Sequence, residues 1–271
     1  MFYLLAAIAC SACVSIAMRW SEGHVSNSMG LLVINYLTCS LCAFCFCHTF
    51  AIDSASFLCG GIMGVLLVAG LALLQYNIHR HGVIVSSLYT RLGVIVPILF
   101  SILFFQELPT WTQAIGIGFA IVSILYFSHQ KQQTVTFGLS LLILLIANGS
   151  CDAMNKVFEV VGDPVYNSQF LLIAFVCAMV FAFVLLTIKK EKIQGKELFF
   201  GLLVGIPNYF SARFLLYALQ EVEAVIAYPT YSVFTIIVIT LFGWLIWKER
   251  LTRQTLYGMT GIILSIALMN L

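Results

Sequence analysis

Two arginines stand where charge is costly. Arg91 and Arg213 both fall inside long apolar stretches of the 271-residue chain, and an ionisable group at such a depth costs about 3 kcal/mol on membrane-insertion scales. A guanidinium held there can grip a carboxylate or phosphate through its forked N–H groups. It can equally be neutralised by an internal acid and do no more than hold two helices together, and Asp152 is the candidate partner. Asp152 is also the acid best placed to take up and release a proton inside a membrane. Glu159, Glu107 and Glu249 read as charges at helix ends.

Uncharged polar side chains gather in the same stretches. Asn35, Gln75, Tyr89, Asn208, Tyr228 and Tyr231 would line a polar compartment and contact a solute together with Arg91 and Arg213. Part of this set is expected to be interhelical hydrogen bonding instead. Other chemistry is missing. There is no HExxH or GxSxG pattern, so no enzyme is expected. The nine cysteines all sit in apolar stretches; some have CxxC spacing, but without polar supporting partners they predict no metal site, and no cofactor is expected.

The elements that position these residues follow from composition. The chain is 62% hydrophobic and 9% charged, with a mean hydropathy of +1.05, which leaves too little polar surface for a water-soluble globule. The 13 Lys and Arg form no basic stripe, which excludes nucleic acid as a partner. Ten stretches are long and apolar enough to span a bilayer: 2–18, 30–50, 57–78, 83–105, 111–128, 136–157, 167–188, 198–219, 224–247 and 254–271. The first lacks a basic start and a small-residue cleavage site, so it reads as a membrane helix rather than a signal peptide. Alternate connections hold Arg19, Arg80, Lys131, the lysines of 189–196, Lys248, Arg250 and Arg253, whereas the opposite side has only Lys156. On the positive-inside rule both termini lie outside the cytoplasm.

The two halves of the chain repeat each other. At the interval separating Glu107 from Glu249, VIVSSLYTRLGVIVPILFSILFFQE (Val83 to Glu107) lies on VIAYPTYSVFTIIVITLFGWLIWKE (Val225 to Glu249) without a gap. Tyr89 falls on Tyr231, Thr110 on Thr252, Gly116 on Gly258 and Ser123 on Ser265. Agreement among Leu, Ile and Val is cheap in apolar sequence, but Tyr, Glu, Thr and Gly recurring at one offset is not. With five segments per half, the second half enters the membrane in the opposite sense.

The patterns LFFQELPTWTQAIGIGFAIVSI and LIWKERLTRQTLYGMTGIILSI, with GIPNYFSARFLLYAL (Gly205 to Leu219), resemble the EamA-like branch of the drug/metabolite transporter superfamily over nearly the whole chain. The resemblance implies a carrier of a small solute, in a superfamily of exporters and importers of amino acids, nucleotide sugars, choline-like solutes and drugs. It also implies cytoplasmic termini, against the charge count, which the four-lysine connection favours.

The sequence thus predicts an all-α integral membrane protein of ten transmembrane helices in two inverted five-helix repeats, 1–130 and 131–271. It is expected as a multi-pass protein of the cell (inner or plasma) membrane, monomeric or homodimeric, with membrane lipid and a small-molecule substrate as partners. Its expected activity is alternating-access secondary transport of a small polar, partly anionic metabolite such as an amino acid. The alternative is a non-transporting receptor or assembly protein that keeps the transporter fold.

Overall fold

A computed structural model describes residues 1–21, 24–25, 27–47, 53–81, 86, 89–90, 92–128, 138–190, 193–246, 257, 260–261, 264–265 and 267–268, without the side chains at 75, 78–79, 81, 123–125, 127–128 and 244. Among these residues every regular element is helical. The α-helices are α1 (Phe2–Ser21), α2 (Ser28–Cys45), α3 (Ser54–His81), α4 (Ile95–Phe104), α5 (Trp111–Ser128) and α6 (Leu139–Val161). A 3-10 turn (Pro164–Tyr166) precedes α7 (Asn167–Ile188), α8 (Gly195–Leu219) and α9 (Ala224–Ile246).

Seven helices among the described residues are long and apolar enough to cross a membrane. Their outer faces carry large apolar side chains such as Phe57, Leu58, Phe183 and Leu245, each more than half exposed, as contact with lipid requires. The chain is a multi-pass membrane protein. Segments 111–128 and 167–188 coincide with α5 and α7. Of the stretch 83–105 a continuous helix is described from Ile95 only, and most of 254–271, with Arg91 and Glu249, lies outside the described residues.

Helix ends are fixed by short-range polar chemistry. Asn27 accepts the N–H of Gly30 at 3.0 Å and starts α2. Gln194 and Glu197 form a reciprocal capping box on α8. Buried at 1% exposure, Glu197 also accepts the N–H of Asn27 at 3.3 Å, so one carboxylate ties the starts of α2 and α8. Glu107 accepts the N–H of Ala224 at 2.9 Å and caps α9, the helix-end role its position suggests. Lys156, the one cation on its side in the charge count, lies within α6, buried and paired with Glu159 at 2.5 Å. It therefore subtracts little from the charge asymmetry of the connections.

The chain forms two compact units, Met1–Val68 with Met154–Glu221, and Ala69–Ala153 with Val222–Leu271. Each draws one stretch from either half of the sequence. In the first, α8 packs on α1 and α2, and α2 packs on α7. In the second, α9 packs on α4 and α5, while Asn77 and Ser140 clasp α3 to α6: the Asn77 amide donates to the Ser140 carbonyl at 3.1 Å and the Ser140 hydroxyl donates back to Asn77 Oδ1 at 2.8 Å.

Candidate functional site

The polar line of the first unit runs along α8. Near mid-helix, Asn208 Nδ2 donates to Asn35 Oδ1 of α2 at 3.1 Å and lies 3.6 Å from Cys39 Sγ. The Cys39 thiol donates to the Gly205 carbonyl at 3.3 Å. These groups meet because α8 offers Gly201 and Gly205 to α2. A Cβ at Gly205 would stand 2.5 Å from Thr38 Cβ and 2.8 Å from the Asn35 carbonyl oxygen, closer than real Cβ atoms come. The small-residue spacing of four thus sets the interhelical distance at which two amides can bond across a lipid-surrounded contact.

Further along α8 stands Arg213, half-buried, with tyrosines one turn before and after. Its Nη1 donates to the Tyr209 hydroxyl at 3.1 Å and its Nε to the Tyr217 hydroxyl at 3.3 Å. Its Cζ lies 4.3 Å from the centre of the Phe46 ring at the end of α2. Phe46 in turn stacks on Tyr209 with centroids 5.9 Å apart and rings 12° from parallel. Hydrogen bonds at i−4 and i+4 and a ring beneath fix the plane of the guanidinium. Among the described residues no carboxylate lies against it; its polar partners are both phenols. Beside it opens a polar cavity of about 170 Å³, walled by Phe46, Tyr217, the start of α7 and Pro164.

The expected site residues of the second unit are arranged differently. Tyr228 is buried on α9 and its hydroxyl donates to the backbone carbonyl of Asp152 at 2.6 Å. No donor among the described residues reaches the Asp152 carboxylate, half-buried near the middle of α6. Tyr89 is 4% exposed in an apolar cluster with Leu141 and Leu144. Tyr231 is half-buried on α9, where its carbonyl accepts the Thr235 hydroxyl at 2.7 Å. Gln75 lies on α3 with its side chain outside the described set, and Arg91 is wholly outside it. Of the residues expected to touch a solute, the first unit therefore holds Asn35, Asn208 and Arg213 on one α2–α8 contact.

A family model for EamA-like transporters matches residues 1–128 and, a second time, residues 136–271. The chain belongs to the EamA-like transporter family. It is thereby a member of the drug/metabolite transporter superfamily, a group of membrane transporters rather than enzymes. The double match agrees with the internal repeat read from Tyr89/Tyr231 and Glu107/Glu249. A protein of Haemophilus influenzae described only as uncharacterized is 24% identical over 212 residues, spanning 76% of this chain and 71% of its own. A crystal structure 12% identical in sequence superposes with a TM-score of 0.76 over 98% of this EamA-like chain and 94% of its own, a likeness of fold alone.

Reading by residue type passed over Asn167, Ser168, Phe46 and Tyr217, which wall the Arg213 cavity. One local signal exists for the first two. Asp163-Pro164 marks a helix start, where Asp163 Oδ1 accepts the Val165 N–H at 2.9 Å, and a polar run at the head of so apolar a helix as α7 is out of place. Phe46 and Tyr217 carry no such signal.

Proposed function

We propose that this EamA-like protein is an alternating-access secondary carrier of a small polar, partly anionic metabolite in the cell membrane, built from ten helices in two repeats, 1–130 and 131–271, of opposite orientation. The observation that carries this reading is the α2–α8 contact. Asn35 from the first half of the sequence and Asn208 from the second meet at 3.1 Å near mid-helix, and Arg213 continues the same line with two phenols and no carboxylate against it among the described residues. Carriers with inverted repeats place their solute sites where the repeats meet near the bilayer midplane, and a membrane-embedded cation without a counter-charge favours a solute that supplies one.

Asp152 is the proposed proton-exchanging group: a mid-helix carboxylate to which no described residue donates can be protonated without breaking a hydrogen bond. Arg91 remains the second proposed anion contact. Tyr89, Tyr228, Tyr231 and Gln75 are its proposed neighbours in solute recognition.

The test is purified protein in liposomes, offered pools of radiolabelled metabolites. Accumulation of an anionic or zwitterionic solute above that in empty liposomes is expected, reduced roughly tenfold or more by Arg91→Ala, the size of one lost charge-assisted hydrogen bond. Unchanged uptake by Arg91→Ala would remove that residue from the site. If no pool is transported by freshly reconstituted, monodisperse protein, the carrier reading fails.

A further inference from the structure

The cavity beside Arg213 does not coincide with the mid-helix amide pair. It lies where α2 ends, α7 begins and the last turns of α8 run, so it sits toward the rim of the first unit. We propose that it is a vestibular binding site for a monocarboxylate, which docks the anionic end of a solute on Arg213 and Asn167 at the membrane edge.

Three independent features face this space. The first is Arg213, whose Nε and Nη1 are engaged by phenols while Nη2 has no acceptor among the described residues and is left for a ligand. The second is Asn167. Its side chain lines the cavity at 4% exposure, and its buried amide nitrogen has no hydrogen-bond partner among the described residues, which a native structure tolerates where a ligand completes the bond. The third is the first turn of α7, a 22-residue helix that Tyr166 leaves without a side-chain cap, with the positive end of its dipole at the cavity. A guanidinium, an unsatisfied amide donor and a helix N-terminus together call for an anion.

Size and charge narrow the ligand. About 170 Å³ is room for roughly six water molecules, enough for a carboxylate with a short carbon chain and too little for a sugar nucleotide. The Phe46 and Tyr217 rings give that chain apolar walls. One guanidinium neutralises one charge, and Asp163 adjoins the cavity's Pro164 in sequence, so a second negative charge on the ligand would be repelled. A carboxylate oxygen can accept from the remaining nitrogen of the guanidinium, whose Cζ lies over the Phe46 ring. The site's part in solute passage rests on the carrier reading, whereas the binding itself does not.

The experiment is equilibrium dialysis of the full-length protein in neutral detergent with radiolabelled propionate. Inorganic phosphate and micelles doped with phosphatidylglycerol serve as competitors. Saturable binding of about one equivalent is expected, weakened about tenfold or more by Arg213→Gln and several-fold by Asn167→Leu, with Arg213→Lys between wild type and Arg213→Gln. Absence of saturable binding overturns the proposal, as does wild-type binding by both Arg213→Gln and Asn167→Leu. Displacement by phosphate or phosphatidylglycerol at lower concentration than by unlabelled propionate also overturns it, by assigning the site to a phosphate or a lipid headgroup. If Arg213→Gln is not monodisperse on gel filtration, Asn167→Leu and Arg213→Lys decide by the same criteria. Propionate binding without liposome uptake of any solute removes the carrier reading and leaves the vestibule standing; uptake without propionate binding does the reverse.

Discussion

The two units differ in where their unsatisfied polar groups gather. In the second, several polar groups are turned on the chain itself, Tyr228 on the Asp152 carbonyl, Asn77 and Ser140 on each other and Glu107 on the first N–H of α9, while the single hydroxyls of Ser101 and Thr230 are buried without a partner among the described residues. Such bonds fasten helices. In the first unit the line from Asn208 to Arg213 is only partly satisfied among the described residues, with one guanidinium nitrogen and the Asn167 amide left unpartnered at one cavity. A polar group in hydrocarbon is costly in either case. Polar groups to which the chain supplies no partner are the ones free to meet a solute or a proton, and among the described residues the carboxylate of Asp152 is such a group in the second unit.

The largest expected effect comes from breaking the contact on which the first unit's line depends. Gly205→Val drives a side chain into Thr38 and Asn35, which should cost about 2 kcal/mol or more by overpacking and part Asn208 from Asn35. Thermal unfolding in detergent should show a Tm lowered by several degrees, with transport lost. A Tm equal to wild type would mean the α2–α8 contact is looser than described.

Asp152→Asn sharpens the comparison from the other side, since it keeps the shape of the side chain and removes only its titration. Uptake driven by an imposed pH gradient should fall to the level without a gradient, while exchange of solute across equilibrated membranes continues. Gradient-driven uptake that survives in Asp152→Asn assigns the coupling elsewhere. The smallest effect is expected at the clasp: Ser140→Ala removes one donor to Asn77 Oδ1 and should cost about 0.6–1 kcal/mol of stability, with the apparent KM for solute unchanged. A shifted KM would show that the clasp belongs to the site after all.

Much of this was legible in the sequence, for identifiable reasons. Spanning helices are read from the length of apolar runs, and 111–128 and 167–188 coincide with α5 and α7 because Pro, Thr or Asp residues with cap chemistry border them. The family was legible because Tyr89/Tyr231 and Glu107/Glu249 recur at one offset in both halves. Asn35 and Asn208 were flagged singly as polar residues in apolar stretches, but their pairing depends on Gly205, whose role is a distance and not a residue type. Tyr89 illustrates the converse: by type a solute contact, by position a member of a cluster with Leu141 and Leu144. The Arg213 cavity escaped because Phe46, Asn167 and Tyr217 come from three helices, and no spacing within one helix announces a wall shared by three.

The most direct test is side-by-side liposome uptake of the identified solute by wild type, Arg213→Gln and Ser140→Ala, each checked for monodispersity. Loss of one charge-assisted contact predicts that Arg213→Gln falls about tenfold or more in kcat/KM, while Ser140→Ala stays close to wild type. Wild-type uptake by Arg213→Gln, or an equal loss in both variants, would contradict the placement of Arg213 in the solute site.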